Sequence, residues 1–314
     1  MKTVRMLMAT LILVILVNGC SGLPNKQTTQ LDDFHIAYAR QGNGGPAVIF
    51  EAGFASEMDA WKQVFKPVAE VTTVFAYDRK GMGNSRSEGN KAMATEVAEG
   101  ILDVVLPGAG TAFGLVSAVG EEEQPVSRDA AVIVEELHRL LIQLKISPPY
   151  VLVGHSLGGM YMEMYARTYP LETAGLVLVD PRRADFTVKC KENLQADSCE
   201  LPAWLLQLLP SPSVAEYRGA EMSAPLMAGA GSLPNVPMVV LTAYNGNPSF
   251  SPEQKALWLS DHQDLVREVP QMKHIVLQES GHFIQRDRPQ VVINAILSVV
   301  QKARLSSQEI VPGS

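Results

Sequence analysis

Cysteine is scarce in this chain, with three residues in 314, at positions 20, 190 and 199. No CxxC pair and no histidine pair at ligand spacing accompanies them, so no metal site and no cofactor is expected. Positive charge is short as well: 26 Lys and Arg stand against 33 Asp and Glu. No basic stripe offsets the formal charge of −7, which excludes nucleic acid as a partner, because a phosphate backbone must be neutralised by Lys and Arg. The apolar run at the amino terminus, Leu7 to Val17 with only Thr10 interrupting, is too short to span a bilayer comfortably. No repeat is evident in the two stretches, 89–127 and 181–236, that fall outside the regular rhythm of the chain. What remains is a chain 46% hydrophobic, long enough to bury one large core or a core with an inserted cap. A monomer is expected.

The amino-terminal run fits a signal peptide: Lys2 and Arg5 precede it and Val17-Asn18-Gly19-Cys20 ends it. Residues 1–19 are thus expected to be removed, leaving the mature chain more acidic. Val-x-Gly-Cys resembles the lipobox of bacterial lipoproteins, which implies that Cys20 becomes the lipid-modified first residue. The alternative is a cleaved secretory signal with an incidental cysteine. Several acyl chains anchor stably where one is marginal. Residues 20–33 are then the lipidated terminus and a polar tether. Ser21 is similar to the outer-membrane sorting case, which implies a protein facing the periplasm. In an exported protein the remaining Cys190 and Cys199 suggest a disulfide closing a short loop, the alternative being two independent thiols.

Beyond the tether, Phe34 to Arg40 alternates as a half-buried strand does. The segments 47–50, 73–77, 150–153, 176–179, 238–241 and 275–277 are near-continuous apolar runs, as expected of parallel strands covered on both faces. Helical spacing lies between them, notably from Arg128 to Leu144 and after Pro289. Alternating strand and helix predicts an α/β domain, residues 34–314, with a mostly parallel central sheet flanked by helices. Residues 89–127 and 181–236 break the rhythm, and such long insertions are commonly lids or binding loops. The first is read as a flap and the second as a cap.

The chemistry centres on Gly154-His155-Ser156-Leu157-Gly158, which follows a predicted strand and precedes an apolar helical run. A sharp strand-to-helix turn lifts one hydroxyl off the sheet, and glycines are needed where the turn is crowded. Ser156 is the candidate nucleophile. A serine hydroxyl needs a base to take its proton, and imidazole titrates in the right range. His282 is the best candidate, in a Gly-flanked loop after a strand; His35, His138, His155, His262 and His274 carry no comparable context.

Taken together, Glu51-Ala52-Gly53-Phe54, Tyr77-Asp78-Arg79-Lys80-Gly81-Met82-Gly83-Asn84-Ser85, Gly154 to Gly158 and Ser280-Gly281-His282-Phe283 resemble the α/β-hydrolase superfamily, in order and spacing, from about residue 34 to 304. The resemblance implies an α/β-hydrolase fold with a cap insertion. It also implies an oxyanion hole made by the backbone N–H groups of Leu157 and Phe54, with Ala55 the nearest competitor for the second. Asp78 and Arg79 are expected to form an ion pair bracing the loops near the elbow. The superfamily usually takes its acid after the strand that here ends near Ala243, but Tyr244-Asn245-Gly246-Asn247-Pro248 holds no carboxylate. Asp180, after the preceding strand, is the favoured acid; Asp261, in a predicted helix, is the other candidate.

The leading expectation is a lipid-anchored serine esterase or lipase-like hydrolase acting on a small hydrophobic acyl substrate, with a cap rich in Leu and Trp204. Other chemistry of the scaffold (peptidase, thioesterase, lactonase, C–C hydrolase) and a non-catalytic envelope binding protein stay open. Serine at the elbow disfavours haloalkane dehalogenase and epoxide hydrolase chemistry, which use aspartate there. Cys20→Ser is expected to move the protein from the membrane to the soluble fraction and to abolish metabolic labelling with a lipid precursor.

Overall fold

The computed structural model describes residues 22–87, 127–194, 199–246 and 250–309. The expected signal peptide, Cys20 and all of the 89–127 flap except Ser127 lie outside the described residues.

Among the described residues nine strands form one sheet. They are β1 (Lys26–Leu31), β2 (Phe34–Gln41), β3 (Ala47–Glu51), β4 (Val74–Tyr77), β5 (Arg86–Ser87), β6 (Tyr150–His155), β7 (Thr173–Val179), β8 (Met238–Ala243) and β9 (Lys273–Leu277). Their order is β1-β2-β4-β3-β6-β7-β8-β9, with β5 on β2. From β4 to β9 the pairing is parallel, while β2 runs antiparallel to β1, β4 and β5. Parallel strands need crossovers, and α1 (Lys62–Ala69), α2 (Ala130–Gln143), α3 (Leu157–Thr168) and the last helix, α8 (Pro289–Glu309), cover the two faces. The pleat divides the apolar runs between them. Ile49, Leu152 and Leu178 pack with Leu137, Leu141 and Met160 on one face, while Val48, Val151, Val153 and Val177 pack with Trp61, Phe65, Val292 and Ile296 on the other.

The tether reading of residues 20–33 is corrected here. Lys26–Leu31 is an edge strand, in register from Lys26 opposite Ala39 to Leu31 opposite Phe34. Before it, Leu23 is buried, and Asp59 takes a hydrogen bond from the Leu23 N–H (2.7 Å) and an ion pair from Lys26 (2.6 Å). A solvent-facing edge strand carries little apolar alternation, and its threonines satisfy β geometry without announcing it.

Residues 181–236 contain α4 (Phe186–Asn193), α5 (Ala203–Leu206) and α6 (Ser211–Gly229). Cys190 and Cys199 are joined by a disulfide, with Cα atoms 5.7 Å apart. The cap is fastened to the sheet through Arg79, 2% exposed. Its five N–H donors meet five acceptors: Glu51 Oε1 (2.7 Å), the carbonyls of Ala52 and Gly53 (2.8 Å each), and Glu216 Oε1 and Oε2 (2.6 and 2.9 Å). Burial by itself lowers the arginine's pKa, but Glu216 and Glu51 outweigh it and hold the group well above the usual range. The expected Asp78–Arg79 pair is therefore corrected. Asp78 instead accepts from the N–H groups of Met58 (2.7 Å) and Asn84 (2.8 Å), while Glu216 offers Arg79 the two-oxygen fork a guanidinium matches and Glu51 takes one further N–H. Arg79→Met should lower stability by about 3–5 kcal/mol in urea unfolding, since it strands two buried carboxylates. Adding Glu51→Gln and Glu216→Gln should recover part of that loss.

Candidate active site

Strand β6 ends in His155, α3 begins at Leu157, and Ser156 alone makes the turn, at φ 51° and ψ −120°. That is left-handed backbone for a residue with a β-carbon, and strain of this kind persists only where the surroundings over-determine it. The crossing is tight enough to require glycine. A Cβ on Gly154 would lie 2.3 Å from the Gly158 carbonyl oxygen, and one on Gly158 would lie 2.4 Å from that of Ala52. The turn is held by the Ser156 N–H donating to Val179 (3.1 Å) and by the Ser156 carbonyl accepting from the Arg182 N–H (2.9 Å).

His282 follows β9, its N–H donating to the Gly246 carbonyl (2.7 Å). Its Nδ1 lies 2.7 Å from Asp180 Oδ2. Asp180 closes β7, 1% exposed, at φ 45°. Its Oδ1 accepts from the Ala243 N–H (3.0 Å) and from Trp258 Nε1 (2.9 Å). A carboxylate held by three donors places Nδ1–H of His282 as the third, which leaves Nε2 as the basic nitrogen. The structure thus brings Asp180 to His282. Asp261, the other candidate acid, sits on α7 (Pro252–Glu268) and pairs with Lys189 of the cap.

Ser156 and His282 line one cavity of about 320 Å³, together with Phe54 and Leu157. Phe54 packs edge-on against Tyr217 of α6, ring centres 6.2 Å apart. Its far wall is aromatic, with Phe186, Phe250 and Trp258 in mutual contact at 4.9–5.8 Å. Leu201, Leu205 and Leu209 of the cap complete it. Trp204, noted among the apolar residues of the cap, is 60% exposed, and its neighbour Leu205 lines the cavity instead. His155 is wholly enclosed. Burial holds its imidazole well below the usual range, and its Nε2–H donates to the His282 carbonyl (3.0 Å). Sequence reading missed Trp258, although its spacing four residues before His262 puts both on one face of α7. Among the described residues no His, Cys, Asp or Glu cluster could hold a metal ion, and no helix is long and apolar enough to cross a membrane.

Residues 46–212 match the family described as the alpha/beta hydrolase fold. That span exceeds half of the chain, which therefore belongs to this family. The uncharacterized protein YqjL of Bacillus subtilis (strain 168) is 24% identical over 269 residues, covering 85% of this chain and 87% of the relative. Among solved structures, a thermophilic esterase from Thermogutta terrifontis superposes with a TM-score of 0.56 at 19% identity, covering 90% of this chain and 99% of its own. A proposed epoxide hydrolase from Pseudomonas aeruginosa superposes at 0.57 and 16% identity, covering 91% and 98%. At these identities the structural likeness is one of fold.

Asp261 supplies a test by pH. Burial raises its carboxyl from 3.8 to about 6, against the opposing pull of Lys189 and with Asp185 adding to the rise. A raised acid stabilises the fold below its unfolded value and loses that contribution as pH climbs through the folded one. The difference in stability between Asp261→Asn and the wild type should therefore move in the variant's favour by on the order of 3 kcal/mol between about pH 4 and pH 7. Urea midpoints across that range read it directly, and a flat difference contradicts it.

Proposed function

We propose that the chain is a serine hydrolase that cleaves ester-type acyl bonds through an acyl-enzyme on Ser156. The observation that carries this reading is the Asp180–His282 hydrogen bond at 2.7 Å, which orients a histidine lining the same cavity as the strained Ser156. His282 Nε2 takes the serine proton as Ser156 Oγ attacks the substrate carbonyl. The tetrahedral oxygen is stabilised by the Leu157 and Phe54 N–H groups, each such donor being worth about 10²–10³ in rate. His282 then returns the proton to the leaving alkoxide, and water, deprotonated by the same nitrogen, releases the acid. Asp180 keeps the imidazole in the required tautomer and stabilises its charged form. The aromatic and leucine walls favour an apolar acyl group.

Epoxide opening, the chemistry assigned to the Pseudomonas aeruginosa relative, needs a carboxylate nucleophile at the elbow, where this chain has Ser156. Anchoring through Cys20 in the cell envelope, on the periplasmic side of the outer membrane, is part of the proposal. Its support is the lipobox-like Val17-Asn18-Gly19-Cys20. With Leu23 already packed into the domain, only Ser21 and Gly22 would separate the lipid from the fold.

A fluorophosphonate probe should label the wild type and not Ser156→Ala. Hydrolysis of p-nitrophenyl esters should be lost in Ser156→Ala and should fall by about 10³–10⁴ in kcat in Asp180→Asn with the fold intact. Labelling that survives Ser156→Ala would overturn the reading, and no labelling of the wild type would favour a binding protein.

A further inference from the structure

The buried polar groups behind the catalytic acid form a directed chain that the acyl-transfer steps do not use. His262 is wholly buried on α7. Its Nε2 lies 2.7 Å from the carbonyl oxygen of Pro181, and its Nδ1 lies 2.7 Å from Thr242 Oγ1. Thr242, buried on β8, in turn lies 2.7 Å from His274 Nε2 on β9. A carbonyl can only accept, so His262 Nε2 carries a proton, and since burial pulls the imidazole down to about 4 and keeps it neutral, its Nδ1 accepts. The Thr242 hydroxyl then donates to His262 and accepts from His274 Nε2–H. Every direction in the chain follows from the Pro181 carbonyl, and each member has one orientation that satisfies it.

The far end of this chain is the turn that carries the acid. Asp180 sits in left-handed backbone, and proline follows it, so residue 181 has no N–H to hold the turn. Two backbone bonds and one side chain hold it: the Asp180 N–H donates to the Leu241 carbonyl (2.7 Å), the Arg182 N–H to the Ser156 carbonyl (2.9 Å), and between them the His262 side chain donates to the Pro181 carbonyl (2.7 Å). The Pro181 carbonyl thus lies on the span linking the acid to the nucleophile elbow. One helical turn before His262, Trp258 of the same helix grips Asp180 Oδ1 directly. With no carboxylate after β8, the acid comes from the end of β7, and the helix that follows β8 closes over it.

We propose that His262, oriented by Thr242 and His274, is a positioning residue that sets the Asp180–Pro181 turn for catalysis. The proposal rests on the serine hydrolase reading. His262 touches no substrate. It fixes the carboxylate against His282 and, through Arg182, the carbonyl of Ser156. A displacement of about an ångström in such a constellation costs on the order of 10²-fold in rate, so the effect belongs in kcat rather than in KM.

The test compares His262→Leu, His262→Gln and Thr242→Val in the full chain, with kcat expressed per site labelled by the fluorophosphonate so that unfolded protein does not count. His262→Leu is expected to lose about 10–100-fold in kcat with KM changed less than about threefold. His262→Gln, whose amide can still donate to Pro181, should recover most of the loss, and Thr242→Val should fall between the two. The low-field proton resonance of His282 Nδ1–H, bonded to Asp180, should shift in the Leu variant and return in the Gln variant. Full kcat in His262→Leu would overturn the proposal. So would equal losses in Leu and Gln, which would make His262 a packing residue. If His262→Leu does not fold, Thr242→Val decides alone, with unchanged kcat and resonance counting against the proposal. Failure of the wild type to be labelled would instead overturn the hydrolase reading beneath it.

Discussion

One guanidinium ties the candidate site's loop to the sheet and the cap. Arg79 spends all five donors on Glu51 at the end of β3, on the Ala52 and Gly53 carbonyls and on Glu216 of the cap helix α6. The loop that leads to Phe54 is thereby set relative to the sheet and the cap at once. A charge this deep is tolerated because two carboxylates surround it. The same geometry makes the site intolerant of losing any one member, since whichever groups remain are buried and unpaired. Tyr77 adds a further hydrogen bond to Glu51 (2.5 Å), extending the network along β4.

Above that brace the site is built on strain that the surroundings offset. Ser156 and Asp180 both occupy left-handed backbone without being glycine. Each is held by backbone hydrogen bonds to neighbouring strands, at Val179 and Leu241 respectively. The two strained residues are also tied to each other, because Arg182 reaches back from the acid's turn to the serine's carbonyl. Ser156 and Asp180 are therefore tied together at the ends of β6 and β7, and the His282 loop docks onto them from β9. The apolar cavity beyond is shaped separately, by aromatic residues from α4, α7 and the loop before it.

Much of this was legible in the residues themselves. The seven apolar or alternating segments all emerged as strands, because continuous burial on both faces leaves an unmistakable run of Val, Leu and Ile. The edge strand at Lys26–Leu31 did not show, since a strand half open to water needs no such run. Ser156 and His282 stood out through local context, a turn too tight for side chains and a glycine-flanked loop. Asp180 could be named only by default, once the stretch after Ala243 offered no carboxylate. That Leu205 and not Trp204 faces the cavity was not legible, because a short helix of Ala, Trp and Leu does not announce which side faces inward.

The sequence by itself determined the order of elements, the elbow and the two candidate residues, Ser156 and His282, that the proposed chemistry needs, because these follow from periodicity and from local context along the backbone. Only the tertiary structure decided the partners. Arg79 turned from its neighbour Asp78 to Glu216, 137 positions away, and His282 found Asp180 across 102. Trp258 and His262 gained their partners, Asp180 and the Pro181 carbonyl, from the packing of α7 beneath that turn. Such choices depend on which buried group offers the better geometry in three dimensions, and distance along the chain says nothing about that.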